Sequence, residues 1–449
     1  VKLLDRLQFH ASGAATAYRD GDRSLAYQQL LDQIRAIAAA VRATTPPGAV
    51  VLIRLPNGLD FPPAFLGVLA AGRVAFPVSP DSPPAELASV IARANVAAMI
   101  GAEPVGSLRL IDPADCGTAD QAASSDNPPA AMLLLSSGST GRPKIVRRSV
   151  ASIDAVCRQM ADATGITPRD KILATVPLCH SYGIEHGLLA PVWAGAETRL
   201  VRGLELGRVQ SELDTGGITI LPGVPSTFEM LATHSRGEKF PTLRAAYSAG
   251  GHLPPTVAAA FAEKCGTPVG QIYGATEIGS VTYTPTHDGT VGRAMDGVHI
   301  RIDDGRVLVR AGSMFDRYLD DPTPIIDGFY PTGDLGHRDD AGRLTITGRA
   351  TLLIDVGGSK VDPLEVERII AAHPRVADCV VVPVRQSETV VRIKAIITPR
   401  DAANPPTTEQ LRMFSREHLS AHKVPRVFEI RAELPRTVTG KILRHQVQA

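Results

Sequence analysis

Aromatic residues make up only 4% of the chain, with a single Trp. Small apolar residues together with Val, Leu and Ile must therefore fill its interior. No run of Lys or Arg stands out, and 47 basic against 46 acidic residues leave a formal net charge of +1. A nucleic-acid partner would call for a basic stripe, so none is expected. Arg147-Arg148 is only a doublet and reads as a solvated loop pair. Cysteine is sparse: Cys116, Cys157, Cys179, Cys265 and Cys379 form no CxxC pair, which argues against a zinc knuckle or a disulfide framework. They read as reduced thiols of a cytoplasmic protein. Long apolar runs are missing too. The longest stretch, Phe61 to Val78, is interrupted by three prolines and Arg73 and cannot be a membrane span. The opening VKLLDRLQFH holds no apolar signal core.

What is present is bulk and alternation. With 449 residues, 44% of them hydrophobic and 21% charged, the composition is that of a globular protein of two or more domains. Leu25 to Val41 reads as an amphipathic helix, Ala49 to Leu55 as a buried strand, Pro62 to Gly72 as a helix and Val74 to Val78 as a strand. The rhythm returns at Lys171–Val176, Ile218–Leu221 and Arg244–Ser248, each followed by a helix-compatible run. Such alternation predicts α/β units with a parallel-rich sheet. From about Val291 short alternating strands take over, separated by the hairpin signals Asp304-Gly305 and Asp340–Gly342. After Arg349 comes a compact α+β stretch. It has strands at Leu352–Val356, Val376–Val384 and Val391–Ile397, helices at Pro363–Ala372 and Thr408–Ser420, and a polar tail from Pro435. The expected division is a large domain over 1–348 and a small one over 349–449.

The chemistry-bearing segment follows Leu133-Leu134-Leu135. That apolar strand runs into Ser136-Ser137-Gly138-Ser139-Thr140-Gly141-Arg142-Pro143-Lys144. Hydroxyls and glycines let backbone N–H groups approach an anion, and Lys144 adds a point charge. The string is no Walker A loop, because Arg142 and Pro143 separate the glycine from the lysine. A generic Ser/Gly stretch would read as a flexible linker.

Further segments follow in order: Ser248-Ala249-Gly250-Gly251-His252, Gln271-Ile272-Tyr273-Gly274-Ala275-Thr276-Glu277, Tyr330-Pro331-Thr332-Gly333-Asp334, the Arg349 strand, and Pro435 to Lys441. Each is weak alone: a Gly turn, a surface Glu, an Asx turn, a surface salt bridge, a solvated lysine. Together, over roughly residues 130–445, they resemble the motif series of the adenylate-forming superfamily. That group holds acyl- and aryl-CoA ligases, luciferases and peptide-synthetase adenylation domains; the chain resembles the CoA ligases most.

The resemblance implies a fold and a set of roles. The fold is a large N-terminal domain of parallel-rich sheets with flanking helices and a distorted β-barrel portion, followed by a small mobile α+β domain. Ser136, Ser137, Gly138, Ser139, Thr140, Gly141 and Lys144 would hold ATP phosphates. Gly250, Gly251, Tyr273, Gly274 and Thr276 would line the adenine side, Asp334 the ribose hydroxyls, and Arg349 the ribose or α-phosphate. Glu277 would take Mg²⁺, as a hard carboxylate suits it. Lys441 would bridge the acyl carboxylate and the nucleotide during adenylation. The small domain would then rotate, and Gly357, Gly358 and Lys360 would line the channel for a thiol from coenzyme A. Two positions depart from the pattern. Thr351 replaces the usual charged hinge residue, and Val150 stands near where many relatives carry His or Asn.

Pro177-Leu178-Cys179-His180-Ser181-Tyr182-Gly183 resembles the His-aromatic segment of the CoA ligases. It lacks the Asp with which amino-acid-activating relatives pair an ammonium. His180 would gate the acyl pocket, with a satisfied core histidine as the alternative. Tyr182, His186, Val224, Ser248, Gln271 and Gly274 are pocket candidates. Tyr182 and His186 would read a ring or a hydroxyl, or else pack as ordinary core. The expected substrate is an aryl or short-to-medium acyl acid. Two other readings stand beside this one. A stand-alone loader would deliver the acyl group to the phosphopantetheine of a carrier protein; Arg202 is a weak candidate for meeting the nucleotide of free CoA. An inactive homologue would serve as a ligand-binding or partner subunit. A monomer or homodimer fits either size or pattern.

Overall fold

The computed structural model describes residues 2–82, 84–111, 131–136, 143–203, 205–234, 239–350, 354–356, 359–385, 391–419, 423–437, 440 and 442–447. Ser137 to Gly141, Thr351, Gly357, Gly358 and Lys441 lie outside the described residues, as does the side chain of Lys360. Two compact units emerge. One comprises Val1–Ile300, Val309–Tyr330 and Gly342–Leu344; the other comprises Arg301–Leu308, Pro331–Ala341 and Thr345–Ala449.

After a first helix, Lys2–His10, come β1 (Thr16–Asp20) and β2 (Arg23–Ala26), so Leu25 is in a strand and the expected helix starts later, at Tyr27. A first sheet is built from β3 (Val50–Arg54), β4 (Val74–Pro77), β5 (Val96–Gly101), β6 (Arg109–Leu110), β7 (Ala131–Ser136) and β8 (Lys144–Ser149). Strands β3 to β7 are parallel, and β8 turns back antiparallel on β7. The runs VVLIR and VAFP are β-branched, aromatic and almost wholly buried, as strands covered on both faces must be. The helix Phe61–Ala70 has prolines in its first turn, where their missing N–H groups cost nothing, and is buried all round.

A second sheet holds β9 (Lys171–Ala174), β10 (Glu197–Leu200), β11 (Ile220–Gly223), β12 (Ala245–Ser248), β13 (Val269–Ala275), β14 (Gly279–Thr284) and β15 (Gly292–Ala294). Its order across this unit is β15-β14-β13-β12-β11-β9-β10-β1-β2. From β13 to β1 every neighbouring pair is parallel. The carboxyl ends of β9, β11, β12 and β13 therefore meet at one edge, where open α/β sheets bind ligands. Val201, Leu213, Leu221, Phe228, Phe261 and Val269 belong to the core cluster beneath that sheet. A short strand, β18 (Arg317–Tyr318), pairs with β8.

Further along the chain β16 (His299–Asp303), β17 (Arg306–Arg310), β19 (Tyr330–Arg338) and β20 (Arg343–Arg349) are neighbours in that order. Asp304 and Gly305, with φ of 48° and 75°, make the hairpin expected from their sequence. The sheets are open: no closed barrel forms among the described residues, and antiparallel strands stand where a barrel portion was expected. Next come the hairpin of β21 (Ile354–Val356) and β22 (Ser359–Val361), and the sheet of β23 (Val376–Arg385), β24 (Val391–Pro399) and β25 (Val427–Ile430). Val361, Val366, Ile370, Val381, Ile397 and Leu411 fill its core with the helices Pro363–Ala371 and Thr408–His418. Thr407 and Gln410 form a capping box on the latter. The expected polar tail from Pro435 ends in a short helix, Arg444–Val447, whose Val447 is buried.

Candidate active site

Lys144 opens β8 directly across from Ser136, the last residue of β7, so the two strands bracket the Ser/Gly loop. The Nζ of Lys144 lies 4.5 Å from the ring centroid of Tyr318. The Tyr318 hydroxyl donates to Glu277 Oε1 at 2.9 Å and lies 3.0 Å from the Tyr330 hydroxyl. Burial and the neighbouring carboxylate both raise the Tyr318 phenol well above its ordinary pKa, so it stays a donor. One tyrosine thus joins the phosphate-loop lysine to the expected metal carboxylate. Nothing in the motif series pointed to Tyr318.

Glu277 is 7% exposed and sits in the turn between β13 and β14. Its carbonyl accepts from Phe315 N at 2.7 Å. The approach to the turn needs Gly274. A Cβ there would stand 2.3 Å from the Gly279 carbonyl oxygen, at a β-bulge between Tyr273 and Gly274. Tyr273 and Thr276 remain partly exposed beside it. Among the described residues no three His, Cys, Asp or Glu side chains gather to hold a metal. Mg²⁺ is commonly bound by one or two carboxylates plus substrate phosphates, so the lone Glu277 fits an ion that arrives with a nucleotide.

The β12 end carries Ser248, followed by the exposed Gly250 and Gly251. Ala249 N donates to Gly223 O at 3.1 Å, and Val224 follows β11 at that point. Ser248 is 2% exposed, and its Oγ has no hydrogen-bond partner among the described residues. The Nε2 of His180 is likewise buried without one, and burial lowers the pKa of that ring. His180 is therefore not a satisfied core histidine. Gln271 is satisfied: its amide donates to Thr290 O at 2.7 Å.

Beyond His180 the chain forms a helical turn, Ser181–Ile184, then a π-helix, Glu185–Leu189. Tyr182 donates to Tyr247 O at 3.1 Å and its ring stands 4.6 Å from that of His186. His186 has Nδ1 3.1 Å from the Tyr247 hydroxyl and Nε2 3.1 Å from Ser280 Oγ. The polar atoms of Tyr182 and His186 are thus engaged within the protein, and these residues offer ring surface. Of the pocket candidates, His180 and Ser248 each carry a buried polar atom without a partner among the described residues.

Arg148 departs from its expectation outright. It is 0% exposed, lies in β8 rather than a loop, and pairs with Glu185 at 2.5 Å. Arg147 shares that strand and pairs with Asp316. Two charges on neighbouring residues of a strand point to opposite faces, so one reached solvent's side and the other the core.

In the second unit Asp334, 4% exposed, pairs with Arg349 at 2.6 Å, so the two residues expected at the ribose meet each other. Around position 441, Arg436 donates to Gly440 O at 2.6 Å and pairs with Asp378 at 2.5 Å. Arg444 pairs with Glu367 and donates to Val381 O at 3.1 Å. Arg202 is exposed.

His180, Ser248 and Glu277 thus follow or end strands of one sheet, and Lys144 opens a strand of the other. The chain belongs to the AMP-binding enzyme family: that family's model matches residues 6–314, and the model of the AMP-binding enzyme C-terminal domain matches 365–441. It is 28% identical to the 3-[(3aS,4S,7aS)-7a-methyl-1,5-dioxo-octahydro-1H-inden-4-yl]propanoyl:CoA ligase of Rhodococcus jostii (strain RHA1), over 96% of this chain and 95% of that one. It is 27% identical to the oxalate–CoA ligase of Arabidopsis thaliana, over 95% and 93%. Among solved structures, ATP-bound MatB from Rhodopseudomonas palustris superposes with a TM-score of 0.89 at 22% identity, covering 98% of this chain and 97% of that one. The o-succinylbenzoate CoA synthetase of Bacillus subtilis, holding its acyl-adenylate, gives 0.88 at 22% identity over 100% and 97%. The adenylate-forming fold is thus shared over the whole chain.

Proposed function

We propose that the chain, an acid–thiol ligase of the AMP-forming type, activates a carboxylic acid with ATP and transfers the acyl group to coenzyme A. The observation that carries this is the sheet edge where β9, β11, β12 and β13 deliver His180, Val224, Ser248 and Glu277.

A carboxylate is a poor acyl donor because its leaving group is oxide. Attack of its oxygen on the α-phosphorus of ATP forms the acyl–phosphate bond and expels pyrophosphate. The CoA thiol then attacks the acyl carbon and AMP leaves. The first step brings two anions together, so positioned cations and dipoles must lower the barrier. Lys144 and the loop's N–H groups take the β- and γ-phosphates. Lys441 meets the carboxylate and the α-phosphate region, Asp334 the ribose hydroxyls, and Arg349 the ribose or α-phosphate. Glu277 would hold Mg²⁺, which would neutralise phosphate charge. Loss of one contact made in the transition state typically costs about 3 kcal/mol.

The large part up to 348 is the adenylation core in this reading, and 349–449 the lid, with Gly357, Gly358 and Lys360 along the thiol's path. The acid is small, and aryl or short to medium in length. The unpartnered Ser248 Oγ and His180 Nε2 support a substrate that brings hydrogen-bonding groups, its carboxylate among them. A carrier-protein phosphopantetheine is the alternative acceptor. We place the protein in the cytoplasm, where buried thiols outside any disulfide such as Cys157, Cys179 and Cys379 are the rule, and take it as a monomer or homodimer. No described helix is long and apolar enough to cross a membrane.

The test is acid-dependent pyrophosphate exchange across benzoate, 3-hydroxybenzoate, oxalate, malonate and matched alkyl acids. Product mass after incubation with CoA or a carrier protein identifies the acceptor. Exchange with one class of acid and a CoA thioester is expected. No exchange with any acid, despite ATP binding, would favour an inactive homologue.

A further inference from the structure

Glu185 is 1% exposed, yet its carboxylate reaches three of the site's segments. Oε1 accepts from Arg148 Nη1 at 2.5 Å, on the strand that Lys144 opens, and from Ser181 Oγ at 3.0 Å, next to His180. Oε2 accepts from Ser280 N at 3.0 Å and Ser280 Oγ at 2.8 Å, three residues past Glu277. Gly279 passes over the pair with φ of +70°; a Cβ there would stand 3.0 Å from Arg148 Nη2 and 3.3 Å from Glu185 Oε1. The π-helix lets two consecutive residues, Glu185 and His186, reach the same serine. Such turns recur at functional sites.

The proton positions follow from these contacts. Ser280 has one hydroxyl proton and gives it to an acceptor-only carboxylate. Its oxygen must then accept from His186, so Nε2 carries the proton. Nδ1 is left as an acceptor and takes the Tyr247 phenol proton. The direction of the whole chain, Tyr247 to His186 to Ser280 to Glu185, is set by the buried carboxylate, and Arg148 keeps that charge paired.

A buried ion pair is weak evidence for stability. Apolar replacements of both partners are often neutral or stabilising, whereas breaking one side is costly. The presence of the pair therefore does not by itself imply a stabilising role. We propose that Arg148 and Glu185 are a positioning pair, which fixes the tautomer of His186 and holds the Lys144 strand, the His180 segment and the Glu277 turn in register. Neither residue touches the reacting atoms. The idea deepens the acid-activating reading of this site and rests on it for the kinetic readout only.

Two variants test it in the full chain. Ser280→Ala cuts the link to His186 and leaves the ion pair in place. The double variant Arg148→Met with Glu185→Leu removes the pair without stranding a buried charge. Ring ¹⁵N shifts, with the His186 signal identified by its loss in His186→Gln, report the tautomer whether or not the enzyme turns over. The wild type should show a single Nε2–H form, and both variants a mixture. Pyrophosphate exchange with the trial acids above should show the acid's kcat/KM falling by roughly tenfold or more in the double variant. The KM for ATP should change far less. A retained Nε2–H form in Ser280→Ala overturns the proposal, as does a double variant with wild-type rates. A wild type inactive on every acid counts against the proposed reaction; the tautomer data still decide the positioning claim.

Discussion

The Tyr318 hydroxyl donates to the Glu277 carboxylate at 2.9 Å while the ring beneath it faces the Lys144 ammonium. Two groups of opposite charge, one from a strand of the first sheet and one from a turn of the second, are thereby held by one neutral side chain. Removing the hydroxyl leaves a buried carboxylate short of a donor, which costs about 1–3 kcal/mol. Tyr318→Phe should lower stability by that amount and weaken the Mg²⁺ dependence of exchange. Tyr318→Leu, which also removes the ring face, should lose a further ~0.5–1 kcal/mol. Chemical denaturation and Mg²⁺ titration check both, and an unchanged Tyr318→Phe rules the link out as a support of Glu277.

Gly274→Ala should be poorly tolerated, because its Cβ would press on the Gly279 carbonyl oxygen at 2.3 Å and backbone cannot step aside. A loss of about 2 kcal/mol or more is expected. Gly251→Ala is the contrast: its nearest neighbour is Pro225 Cγ at 3.5 Å. It should stay within ~0.5 kcal/mol of wild type. Equal melting temperatures for the two would overturn the steric account.

Burial lowers the pKa of His186 to about 4, against the opposing pull of Glu185. Between pH 6.5 and 4 the unfolded chain therefore binds more protons than the folded one. Stability from this residue is full above pH 6.5 and declines as pH falls, by on the order of 3 kcal/mol near pH 4. The same denaturation series on His186→Gln should show a shallower acid slope. Parallel slopes in the two proteins would count against a neutral buried imidazole.

Lys441→Ala should abolish adenylation and leave ATP binding nearly intact if the proposed contact of this lysine is made in the transition state. Asp334→Asn should instead raise the KM for ATP. Exchange kinetics and equilibrium ATP titration separate the two, and normal adenylation by Lys441→Ala would sink the lysine's role.

Local signals were legible in the sequence. The runs VVLIR and AAYS are strands because β-branched or small apolar residues end at turn formers, and after AAYS the motif glycines Gly250 and Gly251 follow at once. Asp304-Gly305 declared its hairpin through its own backbone preference. Pairings over distance were not legible. Arg148 meets Glu185 across 37 positions, and Tyr318 meets Glu277 across 41. No local pattern marks either, and an Arg doublet looks the same whether one member dives into the core or both stay wet. The π-helix leaves no composition signal either. Satisfaction of His186 and Tyr182 by Ser280 and Tyr247 likewise depends on strands that only the fold brings alongside.

The strand-end arrangement has a consequence for how such a molecule changes over time. Of the residues that would meet the acid, His180 and Val224 follow β9 and β11 and Ser248 ends β12, while the packing that keeps the sheet together lies behind them in Leu221, Phe228 and Phe261. Exchange of those few connecting residues can retune which acid fits without disturbing the interior. Diversification of substrate and preservation of architecture are thus carried by separate parts of the chain.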